Sequence, residues 1–338
     1  MANTTIADLW VPEIWREGLM EKSKTRPSLI NAGVAVRSPL FSELASGGGT
    51  KASLPFLQEP VHDDEIQKEG VGPTINALTS GLQVAPILNR VTSAGTGALA
   101  AAVAATDPVG AILDTMADLR LRQRQNTLVS VLKGAFGTDG TAALAALRED
   151  HFSETGAAPS AANLFGPEMM MEGLNRLGEL KGDLADGNGI FVCHPDIELA
   201  LSKEDLIETV RNSEGKLVLK AFKGLTIFMS SLLRRAGTTS GYVYTSFVLS
   251  KNMVALGEKA QSAQVGDAAS LVLKEDAHLN EVTVYDRTRF IMHVNGVSWK
   301  GTPSGQSATN EELAMAANWE LAYRDAENVR AVCFRTNG

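Results

Sequence analysis

Asp107–Gly134, DPVGAILDTMADLRLRQRQNTLVSVLKG, is the stretch whose reading decides the fold. Asp107 has a carboxylate that can accept from the free N–H groups of a first helical turn. Pro108 follows at the position where a missing N–H costs nothing. No further proline interrupts the run, and Gly134 is placed to end it in the left-handed conformation. A single helix of this length spans ~40 Å, well beyond the usual three or four turns. Ile112, Leu113, Met116 and Leu119 form one apolar patch and Leu128, Val131 and Leu132 another. Between them lie Arg120, Arg122 and Arg124, expected to face solvent or a neighbour, since an unpaired buried charge costs several kcal/mol. Alone, this is a long surface helix of a large α/β domain. Its flanks decide whether it is a structural spine.

On the N-terminal side, residues 1–46 read as an arm with little core of its own. Trp10, Ile14, Trp15 and Leu19 fall at roughly helical spacing after or around Pro12 and need a surface to dock on, in this subunit or another. Residues 47–95 read as a long hairpin. Gly47, Gly48 and Gly49 lead into it as a flexible run. KASLPFLQ, beginning at Lys51, alternates as a strand, and LQVAPILNRV, beginning at Leu82, returns with Pro86 marking an edge. The tip between them carries Asp63, Asp64, Glu65 and Glu69 against Lys68, too polar for a core hairpin. Ala98–Ala105 is an alanine-rich helix too short to cross a membrane.

Beyond the helix, residues 135–165 are a loop with a short helical piece around 142–149, and Pro167 opens another helix whose methionines serve as core gap-fillers. Residues 189–256 read as a small inserted α/β domain: a buried strand at Gly189–Cys193, a helix from Pro195, then further strands including Tyr242–Leu249. After it, alternating strands return at 281–285 and 289–294. Asn295-Gly296 predicts a hairpin with 297–300. Thr309 with Glu312 predicts a capping box opening a last helix, before a final strand at 329–335.

Composition bounds the class. The 338 residues can build one large core or two modest ones, and 44% hydrophobic content marks a globular chain. A net charge of −8 argues against general nucleic-acid binding, which needs excess cation, without excluding a place beside DNA. The two cysteines, Cys193 and Cys333, sit among apolar neighbours and read as free thiols in a reducing compartment. The N-terminus lacks the basic start and apolar run of a signal peptide, and no apolar stretch is long enough for a membrane span.

The motifs of catalysis are missing. The five histidines, His62, His151, His194, His278 and His293, form no H-E-x-x-H and no pair at ligand spacing, so no metal and no cofactor is expected. His194 precedes Pro195 at a strand-to-helix turn and is read as satisfied by local backbone. GTTSGY around Ser240 is no nucleophile elbow, and SGGGTK at Ser46–Lys51 lacks the spacing of a phosphate loop.

Arm, extended hairpin, long helix, inserted domain and returning strands follow one another in an order that resembles the HK97-fold major capsid proteins of tailed bacteriophages. Within them the sequence is similar to the Gp13-like phage major capsid proteins. LWVPEIW, LTSGLQVAPILNR, LAAAVAATDPVGAI, LVSVLKGAF, FVCHPDIELAL, YVYTSFVL, TRFIMHVNGVSWKG and TNEELAMAANWELAYRDAENVRAV carry the likeness across nearly the whole chain. The resemblance implies an α+β HK97-like capsid fold: N-terminal arm 1–46, extended hairpin (E-loop) 47–95, peripheral domain 96–188 with spine helix 107–134, axial domain 189–256, and a return to the peripheral domain over 257–338. It implies a structural protein and not an enzyme, assembling in the host bacterial cytoplasm as pentamers and hexamers into an icosahedral virion shell. That shell would enclose double-stranded DNA without sequence-specific binding, meet portal, scaffold or decoration proteins, and touch no membrane. Assembly contacts are expected at Trp10, Trp15, Lys51, Asp63, Asp64, Glu65, Arg120, Arg122 and Arg124, the arginines facing solvent, a neighbour or the shell interior. Lys51 and Asn89 are present, but nothing places them in register for the cross-linking seen in some members of the fold. An encapsulin-like compartment is the alternative within the fold, and a soluble α/β enzyme the alternative outside it.

Overall fold

The computed structural model describes residues 28–60, 64–67, 69, 72, 74–75, 77–97, 108–137, 142–154, 160, 162–185, 187–211, 217–239, 241–262, 267–276, 278 and 280–338. Asp107 as an N-cap, the Ala98–Ala105 helix, Trp10, Trp15 and Asp63 therefore lie outside the described residues.

The chain opens with α1 (Ser28–Asn31), β1 (Ala35–Arg37) and α2 (Pro39–Ser46), followed by β2 (Lys51–Gln58), β3 (Thr79–Gly97) and the long helix α3 (Pro108–Phe136). Then come β4 (Arg148–His151), α4 (Pro167–Asn175), α5 (Lys181–Ala185), β5 (Gly189–Cys193), α6 (Pro195–Lys203), β6 (Glu208–Arg211), β7 (Leu217–Phe222), β8 (Leu225–Met229), β9 (Arg234–Ala236) and β10 (Tyr242–Ser250). The last part holds β11 (Val254–Glu258), β12 (Ser270–Asp276), β13 (Glu281–Val294), β14 (Val297–Trp299), α7 (Asn310–Ala314), β15 (Trp319–Leu321) and β16 (Ala331–Thr336).

Two sheets organise these strands. One runs β1-β11-β13-β3-β2 with β12 on β13, and the other runs β4-β16-β10-β5-β8-β7-β6 with β9 on β10. The sequence reason for the second is plain in β5: all five residues of GIFVC are buried, the near-continuous apolar run of a strand covered on both faces. This sheet is wider than the 189–256 range, because β16 pairs with β10 and β4 with β16, while Val254–Glu258 leaves to join the first sheet. Strand pairing across more than 80 residues of chain has no local signal.

The helix α3 joins the sheets. Its C-terminal half, Leu128, Val131, Leu132, Ala135 and Phe136, is buried against Phe247, Trp299 and Trp319 in the main core. Gly134 does not end it. The helix runs on to Phe136, and the left-handed residue is Gly137, at φ +57°, whose N–H donates to Lys133 O at 2.8 Å. Gly134 instead lets the backbone come close to another element: a Cβ there would overlap Leu313 O and the indole nitrogen of Trp319.

Asn295-Gly296 makes a turn but no hairpin. Only Gly296 has positive φ, at +88°, so the two-residue turn that needs positive φ at both positions does not form. Val297–Trp299 pairs with Trp319–Leu321 instead of folding back on β13. The capping box at Thr309 and Glu312 is present with both hydrogen bonds, over a short helix that ends at Ala314.

The hairpin of residues 47–95 has two different halves. Lys51–Gln58 pairs with Thr79–Pro86, and from Ile87 to Gly97 the same strand pairs with β13. Only the first half is a two-stranded ribbon, with no third strand beside it among the described residues; the second is an inner part of the subunit's own sheet, with Ile87 and Leu88 buried. Pro86 has its Cα partner on β2 and none on β13, consistent with a residue that cannot donate to a ladder on both sides. A second, smaller core of Phe41, Ala45, Ala52, Ala85, Ile87, Ala255 and Ile291 seals the ribbon's base.

Candidate functional site: the ribbon and its base

The ribbon shows two faces, as a period of two requires. Ala52, Leu54 and Phe56 point to the subunit's body. The Phe56 ring lies over Gly81, where a side chain would collide with it, and meets Tyr323 edge-on at 5.4 Å between centroids. Leu57 and Leu82 are on the other face, 71% and 55% exposed, and toward the tip Ile66, Ile75 and Leu78 are 87%, 93% and 57% exposed. Asp64 and Glu65 are exposed at the same tip. The Glu65 carboxylate accepts from Thr74 N–H at 3.0 Å, and hydrogen bonding to Thr74 holds it below the usual carboxylate range.

Three sets of polar contacts tie the base down. Gln83 is buried, and its side-chain oxygen accepts from Gly296 N–H at 3.2 Å and lies 3.0 Å from His293 Nε2. That places the ring proton on Nε2. The His293 ring is fully buried and stacked on Phe41, and burial pulls its pKa down to about 4. Val84 N–H donates to Ser298 Oγ at 3.1 Å. The Arg289 guanidinium donates to the carbonyl oxygens of Ala45, Gly47 and Gly49 and to Asn89 Oδ1. Neither His293, Gln83 nor Arg289 has a motif; each was missed because its partner is far away in sequence. Lys51 is exposed at the foot of β2, and the Asn89 side chain faces Arg289.

The basic middle of α3 is arranged otherwise than expected. Arg124 is 3% exposed, bonded through Nε to Glu258 at 2.7 Å, with its guanidinium 3.3 Å from the Phe290 ring centroid. Burial lowers its pKa, opposed by Glu258. Arg120 makes a two-pronged contact with the buried Asp286, at 3.2 and 2.9 Å. Arg122 is half-buried and donates to Asp118 O one turn back. The expectation that all three lie open is thus corrected at Arg124, which is enclosed but paired. Two of the three charges are matched inside the subunit and bind the helix to the first sheet.

The same geometry bears on catalysis. His194 caps α6: its Nδ1 accepts from Asp196 N–H at 3.1 Å, so the nitrogen nearest the Asp196 carboxylate has no proton to share with it. Asp196 accepts instead from Tyr244 OH at 2.8 Å and Arg234 at 3.2 Å. This network orients no base toward a nucleophile. Cys193 and Cys333 are free and buried, and burial pushes each thiol up to about 12. Among the described residues, Glu149, His151 and Glu172 bring three metal-capable donors together, but Arg176 Nε holds Glu149 at 2.6 Å. A cleft of about 440 Å³ opens between the ribbon and residues 323–328, and among the described residues its lining, which includes Phe56, Glu59, Tyr323 and Arg324, contains no histidine, serine or cysteine.

No family model matches the chain. The major capsid protein of Bacillus phage SPP1 is 22% identical over 339 residues, a match that spans 99% of this chain and 98% of that protein. Among solved structures, the capsid of Ralstonia phage GP4 superposes with a TM-score of 0.58 at 11% identity, covering 99% of this chain and 98% of that one. The capsid of a native GTA particle gives 0.56 at 12% identity, over 84% and 92%. The α+β, HK97-like capsid fold expected from the sequence is the fold of this chain.

Proposed function

We propose that the chain is the structural major capsid protein of a phage head. Copies assemble as pentamers and hexamers into an icosahedral shell that encloses double-stranded DNA. The single observation that carries the reading is the projecting ribbon on this fold. A two-stranded ribbon alone in water is marginal. This one turns Leu57, Leu82, Ile66, Ile75 and Leu78 to solvent, and isolated monomers rarely leave such a set together. Laid over a neighbouring copy, those side chains are buried, and weak contacts repeated by symmetry add up. The acidic tip, with Asp64 and Glu65, suits a basic or hydrogen-bonding surface on that neighbour better than the acidic body it leaves.

Within this reading the expected arm, 1–46, is fixed to the body over its described part, where Leu29, Val34, Phe41 and Ala45 are buried and β1 pairs with β11, and of the expected E-loop, 47–95, β2 and Thr79–Pro86 form the projecting ribbon. Residues 96–188 and 257–338 are assigned to the peripheral domain and 189–256 to the axial domain, whose sheet also takes in β4 and β16 and gives up β11 to the first sheet. Among the described residues, Lys51, Asp64, Glu65 and Arg122 are the expected contact residues that remain available, whereas Arg120 and Arg124 act inside the subunit. A net charge of −8 suits a wall that DNA slides past. Portal, scaffold and decoration proteins are the further partners such a shell would meet.

The test is to express the chain and image it by negative-stain electron microscopy. Size-exclusion chromatography and a nuclease-protection assay on the particles accompany it. Closed icosahedral shells support the proposal. A small oligomer that forms no shell under any condition of salt or co-expression with its genomic neighbours would end it.

A further inference from the structure

We infer that Arg289 is a positioning residue that sets the direction of the ribbon, by clamping the backbone of the glycine run at its foot. As a statement about assembly the inference rests on the shell reading; as a statement about the subunit it does not.

The three glycines look like a free hinge, but their carbonyl groups converge on one cation. Arg289 Nε donates to Ala45 O at 2.7 Å, and one terminal nitrogen donates to both Gly47 O at 2.8 Å and Gly49 O at 2.9 Å. The other terminal nitrogen donates to Asn89 Oδ1 at 3.1 Å, from the residue opposite Arg289 in the ladder. Four hydrogen bonds use four of the five N–H groups of a planar fork that lysine does not have. Ala45 O belongs to the last turn of α2, where a cation is also favoured by the helix dipole. The clamp therefore joins α2, the glycine run, β3 and β13 at the point where β2 leaves the body.

The glycines themselves support this over free swivelling. Only Gly49, at φ +95°, uses a conformation that favours glycine. Gly47 has φ −70° and ψ 175°, ordinary extended backbone, and a side chain at Gly48 would meet nothing within 4 Å. A hinge that works by flexing needs all three to be glycine. A clamped one needs Arg289 and Gly49.

The experiment uses the full chain and four variants: Arg289→Ala, Arg289→Lys, Asn89→Ala and the double change Gly47→Ala/Gly48→Ala. Hydrogen exchange is read on unassembled protein, and particle formation by electron microscopy. Arg289→Ala is expected to speed exchange of the ribbon amides, 51–58 and 79–86, about tenfold while β5 is unchanged, and to lower the yield of regular shells. Arg289→Lys should recover little of this. The double glycine variant should match wild type in both readouts. Asn89→Ala, which frees one arm of the fork, should give a smaller rise in the same amides, so the clamp is tested even where Arg289→Ala does not fold. Unchanged ribbon exchange in both Arg289→Ala and Asn89→Ala overturns the inference, as does a double glycine variant that loses shells while Arg289→Ala keeps them. Should wild type form no shells, the shell reading fails and the exchange measurements still decide the clamp.

Discussion

Gly134→Ala tests how the long helix meets the rest of the core, because helix propensity and packing demand opposite signs. In an ordinary helix interior the change gains ~1 kcal/mol. Here the added methyl would overlap Leu313 O and the indole of Trp319, two groups joined by a buried 2.8 Å hydrogen bond. Overpacking of a close-packed site costs ~1–3 kcal/mol. Forcing that hydrogen bond apart leaves a buried donor and adds ~1–3 kcal/mol. Taking ~2 for each and subtracting ~1 for propensity gives a net loss of about 3 kcal/mol, or roughly 6 °C in Tm at about 2 °C per kcal/mol for a chain of this size. The assay is urea and thermal unfolding of unassembled protein, since assembly would mask subunit stability. Tryptophan fluorescence follows it, because Trp299 and Trp319 are buried and packed 4.9 Å apart between ring centroids. Gly182→Ala is the control: it is helical with nothing within 4 Å of the new methyl, so it should be neutral or slightly stabilising. A Gly134→Ala protein as stable as wild type would refute the argument.

Acid should weaken the ribbon's base through His293. The folded pKa of about 4 lies below the ordinary 6.5, so the unfolded chain binds the proton first; stability is complete above pH 6.5 and falls between 6.5 and 4. A folded pKa of about 4 against 6.5 in the unfolded chain corresponds to about 3 kcal/mol. A His293→Phe variant should lack that part of the slope when urea midpoints are compared across this window, and identical slopes would discount the histidine. Thr309→Ala removes one half of a capping box and should cost about 1 kcal/mol, read as a lowered urea midpoint. Replacing residues 59–72 with a short turn should leave the unfolding midpoint of the subunit within error and abolish shells; normal particles from the shortened chain would remove the ribbon tip from assembly.

What could be read from the sequence was whatever is carried by neighbours along the chain. Pro108 and the unbroken run after it located the long helix, β5 announced itself as five apolar residues, and Thr309 with Glu312 named its own cap. Errors came where the reason for a residue lies elsewhere in the fold. A glycine near a helix end reads as a terminator, but Gly134 answers to Leu313 and Trp319. Asn295-Gly296 reads as a hairpin, yet its second strand has a better partner at 319–321. Arg124 reads as a surface cation because nothing nearby reveals Glu258, 134 residues on. The glycine run read as loose for the same reason: carbonyl oxygens leave no mark in a sequence, and the guanidinium that gathers them sits in β13.

The uninterrupted strand β3 has a mechanical meaning. Its 19 residues make a rod of roughly 60 Å, half of it ribbon and half of it wall. Nothing slack separates the two, so a push on the ribbon tip is a torque on the first sheet and, through Asp286 and Arg120, on the long helix. A subunit built this way transmits load between neighbours as a beam does. A shell of them is expected to take up strain by tilting whole subunits while each beam keeps its shape. A pair of distance labels, one on β2 and one on β12, would then read the same separation in free subunits and in assembled particles, and a changed separation would put the bend inside the strand.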